Sequence, residues 1–108
     1  MLDVKHKSST LPPGMILGYK DKRTRRFANG ESVRPFRGFA DQAARRLAVL
    51  NAATSLDDLR RLRSNRLEAL RGARSGQYSI RINQQWRLCF EWPEGAAGPS
   101  NVEIVDYH

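Results

Sequence analysis

Two alternating runs meet across a very short junction. Gln77–Ile82 reads QYSIRI, Trp86–Trp92 reads WRLCFEW, and only Asn83, Gln84 and Gln85 separate them. Successive strand residues point to opposite faces, so Tyr78, Ile80 and Ile82 share one face while Ser79 and Arg81 take the other. In the second run Trp86, Leu88, Phe90 and Trp92 face one way, and Arg87, Cys89 and Glu91 the other. Runs joined this closely form a β-hairpin. Its apolar face has to be covered by another layer.

The upstream sequence supplies that layer. In Gly38–Thr54 the residues Phe39, Ala43, Leu47 and Leu50 recur at helical spacing, with no further Gly or Pro after Gly38. Ser55 reads as the N-cap of a second, shorter helix carrying Leu56, Leu59 and Leu62, with Asp58 as its capping-box partner and Asp57 favourable to the helix dipole. Asp21–Gly30 is a further short helix whose Arg23, Arg25 and Arg26 form a basic face.

Strands are expected at Met15–Tyr19, at Arg66–Arg71 and at Asn101–Tyr107, the last with Val102 and Ile104 on one face. Pro93–Ser100 is a Gly/Pro loop. The expected class is α+β, with helices on one face of a small, mainly antiparallel sheet. Residues 1–14 end in Pro12-Pro13-Gly14 and read as a flexible N-terminal extension, with Met15 an alternative start. Residues 15–108 form the domain, a length suited to one core.

Composition narrows the function. Lys and Arg total 19 against 11 Asp and Glu, a net charge of +8, and 15 of the basic residues are Arg. So basic a domain attracts polyanions, and Arg forks bind phosphate in a bidentate way; a coding bias toward Arg is the plainer source of the excess. The longest apolar stretch, Leu47–Ala53, is far too short to span a bilayer, and no secretory signal is expected, so the cytoplasm is the default location. One cysteine and two histidines exclude a disulfide framework and a Cys- or His-based zinc site. There is no Walker A loop and no GxGxxG, so neither metal nor cofactor is expected.

Cross-strand neighbours lie about 4.5–5.5 Å apart, so Arg81 and Arg87 on adjacent strands could converge on one phosphate. Arg71 and Arg74, at the end of the preceding strand and its turn, would extend this basic surface. The plainer reading is a solvated face whose arginines pair with Glu68, Glu91 and Glu103. Cys89, in mid-strand, reads as a packing residue and not a nucleophile.

The strings RLEALRGARSGQYSIRINQQWRLCFEW and VEIVDYH, with the helical LAVLNAATSLDDLR, closely resemble the HigB branch of the RelE/ParE toxin superfamily over residues 15–108. The resemblance implies a small sheet packed by two N-terminal helices. It also implies a type II toxin that cleaves mRNA at the A site of the translating ribosome, neutralised by a HigA-type helix-turn-helix antitoxin. Operator DNA would be reached only through the antitoxin complex, and no membrane is involved.

The family's catalytic positions fall on Glu68, Arg71, Arg87, Tyr107 and His108, with Arg74, Arg81 and Asp106 as RNA contacts. RNA carries its own nucleophile, the ribose 2′-OH, so cleavage needs a base, positive charge on the transition state and an acid for the leaving oxygen. Arg does not deprotonate at neutral pH, so Arg71 and Arg87 would act electrostatically, with Arg87 on the scissile phosphate. Glu68 and His108 are the proton-transfer candidates, and Tyr107 would orient the nucleophile or stack on a base. Some relatives carry His in place of Glu68 and Lys in place of Arg71; an ordinary Glu is ionised at neutral pH and serves as a base better than as an acid.

Two other readings stay open at this level. A ParE-like toxin of the same fold would target DNA gyrase, and a non-catalytic RNA-binding module would bind without cleaving.

Overall fold

The hairpin forms where the alternation places it. The structure, a computed structural model, describes residues 15–106, so the N-terminal extension and the expected site residues Tyr107 and His108 lie outside the described residues. The elements run α1 (Lys22–Ala28), a 3-10 turn (Arg34–Phe39), α2 (Ala40–Ala52), α3 (Leu56–Arg61), β1 (Glu68–Ala69), β2 (Gln77–Arg81), β3 (Trp86–Glu91) and β4 (Ser100–Asp106). The four strands form an antiparallel sheet in the order β1-β2-β3-β4.

The β2–β3 turn is closed by Asn83, whose Oδ1 accepts from the backbone N–H groups of Gln85 and Trp86, each at 2.8 Å. Such a side-chain turn fixes register without glycine. Register then fixes the faces. Ile80, Leu88 and Ile104 stand in one row against the helices, and all three are buried.

The helices meet that face with Ala43, Leu47 and Leu50 from α2 and Leu59 from α3. The 3-10 turn adds Phe36 and Phe39, and Trp86 stacks on Phe39 with ring centroids 4.7 Å apart. The helix expected from Gly38 therefore begins at Ala40, because the preceding residues coil more tightly to bring both Phe rings inward.

Ser55 caps α3, its Oγ accepting from the Asp58 N–H at 3.3 Å. The Asp58 carboxylate reaches one residue further back than a capping box requires, accepting from the Thr54 N–H at 2.8 Å and the Thr54 hydroxyl at 2.7 Å.

Two expected strands are corrected. Met15–Tyr19 forms only a single parallel bridge, Tyr19 to Val102, together with the bonds from Leu17 N–H to Pro99 O and from Lys20 N–H to Val102 O. The chain turns into α1 at once, and the next free N–H on β4, that of Ile104, donates to the buried Thr24 hydroxyl at 3.0 Å. The sheet edge is thus covered by a segment and a side chain, which blunts edge-to-edge pairing. The strand expected over Arg66–Arg71 shrinks to Glu68–Ala69, because Arg66 takes a left-handed backbone (φ 47) and Gly72 (φ 64) starts a 3-10 turn over Gly72–Arg74.

Candidate functional site

The face of the sheet turned away from the helices is polar, and the strand pairing specifies its layout. Glu68, Ser79, Cys89 and Glu103 stand in one row across all four strands, with Arg81, Arg87 and Val105 in the next. This face is less open than alternation implies: Ser79, Cys89 and Arg87 are all buried.

Arg87 is the centre of the arrangement. Its guanidinium turns toward β1, where Nε donates to Ser79 Oγ at 2.7 Å and Nη2 donates to the Arg66 carbonyl at 2.6 Å. Nη2 also lies 3.9 Å from the Glu68 carboxylate. Arg87 is only 8% exposed, while the Glu68 side chain is 53% exposed. A guanidinium held by neutral acceptors keeps its charge effective beside an open carboxylate in a medium of reduced dielectric.

Arg81 stands opposite Arg87 but does not join it. Its Nε donates to the Asn83 carbonyl at 3.2 Å, toward the hairpin turn. The expectation that the two guanidinium groups converge on one phosphate is corrected: like charges directly opposite repel, and each group finds its acceptor in the other direction.

Arg74 is bound on the same face, donating to Gln77 Oε1 at 2.8 Å and lying 3.5 Å from Glu103, which also pairs with Lys20 at 3.7 Å. The paired-face reading therefore holds for Arg74 with Glu103 and, more loosely, for Arg87 with Glu68; Glu91 instead accepts from Asn101 at 3.1 Å. Cys89 lies buried within this face, and burial pushes its thiol pKa up.

Arg71 sits exposed where β1 ends, and Glu68, Ala69, Leu70 and Arg71 line an open concavity of about 620 Å³. A second concavity of about 610 Å³ lies between α1, α2 and the extended N-terminal segment, lined mainly by residues such as Tyr19, Phe27, Ala44 and Leu47, and none of the expected site residues borders it.

Asp106 pairs with Trp86, one position out of phase with Arg87, so it falls on the other face of the sheet, where it accepts from Gln85 Nε2 at 3.2 Å. The structure thus brings Glu68, Arg71 and Arg87 to one region, sets Arg81 and Arg74 to either side, and separates Asp106.

Sequence reasoning missed Ser79 and Arg66. Ser79 could have been found, since it shares a face with Arg87 and sits one strand away. Nothing in the sequence around Arg66 announces that its backbone carbonyl serves as an acceptor.

Comparison with known proteins bears on the family. Residues 17–108 match the family described as RelE-like toxin of type II toxin-antitoxin system HigB. Toxin HigB-1 of Vibrio cholerae serotype O1 is 38% identical over 85 residues, covering 77% of this chain and 90% of that protein. Endoribonuclease HigB of Proteus vulgaris is 35% identical over 68 residues, covering 63% of this chain and 71% of that protein. A solved YoeB/ParE toxin from Agrobacterium tumefaciens superposes with a TM-score of 0.54, covering 87% of this chain and 99% of its own at 10% identity, a likeness of fold alone.

Proposed function

Because the chain belongs to the HigB-like family of RelE-like toxins from type II toxin–antitoxin systems, we propose that it is an endoribonuclease that cuts mRNA in the ribosomal A site and so arrests translation and growth. The observation that carries this reading is the pairing of a buried, firmly held Arg87 with an exposed Glu68 carboxylate at the edge of an open concavity.

The chemistry follows from RNA itself. Glu68 takes the proton of the ribose 2′-OH, the 2′-oxygen bonds to phosphorus, and the bond from phosphorus to the 5′-oxygen breaks. A 2′,3′-cyclic phosphate and a free 5′-hydroxyl result, the latter receiving its proton from His108. Arg87 and Arg71 supply positive charge to the phosphorane-like transition state, where preorganised cations act most strongly. Tyr107 orients the nucleophile or stacks on a base. Arg74 and Arg81, on either side of the centre, hold flanking phosphates.

The partner in this reading is a HigA-type helix-turn-helix antitoxin that neutralises the +8 toxin and carries the complex onto operator DNA. The work is cytoplasmic, and among the described residues no helix is long and apolar enough to cross a membrane.

Primer extension on cellular mRNA after induction tests the reading. Wild-type protein should yield discrete new 5′ ends within coding regions, and Arg87→Ala should yield none. New ends of equal intensity from Arg87→Ala would overturn the assignment, and supercoiling inhibition without mRNA cleavage would point to gyrase.

A further inference from the structure

The acceptor that holds Arg87 is itself held from behind. Arg66 closes the 3-10 turn Arg63–Asn65 in a left-handed conformation (φ 47, ψ 55), and this backbone setting aims its carbonyl at Arg87 Nη2. A side chain disfavours that region, so something has to stabilise the turn.

Two side chains do so. Asn65 is fully buried, and its Nδ2 donates to the Leu59 carbonyl at 3.0 Å, tying the turn to the end of α3. Arg46, from α2, donates through Nη1 to Asn65 Oδ1 at 2.6 Å and through Nη2 to the Ser64 carbonyl at 3.3 Å. Both amide atoms of Asn65 are thereby used, and the turn is clamped between two helices.

We infer that Arg46 and Asn65 are positioning residues for Arg87: they fix the Arg66 carbonyl, which fixes the guanidinium that meets the scissile phosphate. The inference rests on the proposed catalytic role of Arg87. Neither residue touches the RNA in this scheme. Their contribution is geometric, and small displacements of a catalytic group are expensive in rate.

The experiment measures kcat and KM for cleavage of a ribosome-bound message by purified wild type, Arg46→Ala and Arg46→Lys, with thermal unfolding of each. The first change is then repeated in an Arg87→Lys background that retains residual activity.

Arg46→Ala should lower kcat by about 10–100-fold with KM nearly unchanged, the signature of misplacement and not of lost binding. Arg46→Lys, which can still donate to Asn65 Oδ1 but cannot fork to Ser64, should recover part of the loss. In the Arg87→Lys background Arg46→Ala should add less than about a 3-fold loss, because the two residues act as one unit.

An effect confined to KM would make Arg46 an RNA contact and overturn the inference. So would a loss of equal size in both backgrounds, which marks an independent structural role. If Arg46→Ala does not fold, the Arg46→Lys comparison carries the test alone: unchanged kcat in both backgrounds overturns the inference. Full activity of Arg87→Ala is a different failure, since loss of the charge without effect removes the catalytic reading on which the inference stands.

Discussion

Arg81 and Arg87 face each other across β2 and β3, yet their side chains part, one bonded to the Asn83 carbonyl at the hairpin turn and the other to Ser79 and the Arg66 carbonyl beside β1. Their substitutions should therefore differ in kind. Arg87→Met leaves buried acceptors unpaired and should cost about 1–3 kcal/mol of stability. Arg81→Ala should stay within about 0.5 kcal/mol of wild type. Urea unfolding of both variants checks this, and equal costs would mean that the two guanidinium groups share an environment in solution.

Glu68 should matter for chemistry and hardly at all for folding. Its approach to Arg87, at 3.9 Å with half of the Glu68 side chain exposed, contributes about 0–1 kcal/mol. As the base, its replacement by Gln should lower the cleavage rate by about 10²–10⁴-fold in a single-turnover assay. Unfolding curves of Glu68→Gln and wild type should superpose.

Acid stability has a local source at the start of α3. The Thr54 hydroxyl, then the Thr54 N–H, hold the Asp58 carboxyl below its usual 3.8. A group whose pKa is depressed by folding adds stability above its unfolded value and loses it as pH falls through the folded one. Asp58→Asn and Thr54→Val should each flatten the dependence of unfolding free energy on pH below about pH 4, and combining the two should flatten it little further than Asp58→Asn alone. A slope identical to that of wild type in both variants would assign the acid sensitivity elsewhere.

Cys89 should be inert in the folded protein. Burial raises its thiol pKa, and the thiolate is the reactive form. An aromatic disulfide reagent should label it only after unfolding, at the rate of global opening. Rapid labelling of native protein would show that the polar face opens on its own.

The hairpin, the buried row of Ile80 and Leu88, and the helix carrying Ala43, Leu47 and Leu50 were legible because period-2 and period-3.6 patterns fix which side of an element meets the core. What failed was governed by contacts distant in sequence. Met15–Tyr19 has the composition of a strand, but the β4 edge it would pair with is shared with Thr24. Arg66–Arg71 alternates, yet a left-handed Arg66 and the turn at Gly72 cut the pairing short.

The candidate site shows the same division. Alternation put Arg81 and Arg87 on one face correctly, but it says nothing about the direction in which a long side chain leans along the sheet. That direction depends on Ser79 and on the Arg66 carbonyl, which Arg46 and Asn65 hold from another layer. Asp106 follows Val102 and Ile104 at the next even step, so the strand carries it to the face opposite Arg87. Tyr107 and His108 lie outside the described residues, so their proposed roles rest on family resemblance.

The most direct measurement uses purified toxin on a ribosome-bound message carrying a single 2′-deoxynucleotide immediately 5′ of the phosphate normally cut. The account predicts that cleavage at that phosphate disappears while ribosome binding persists, because the attacking oxygen has been removed and the Arg87–Glu68 face has nothing to activate. Undiminished cutting at the deoxy-substituted position would show that water or another nucleophile does the work, and would contradict ribose-driven scission at this site.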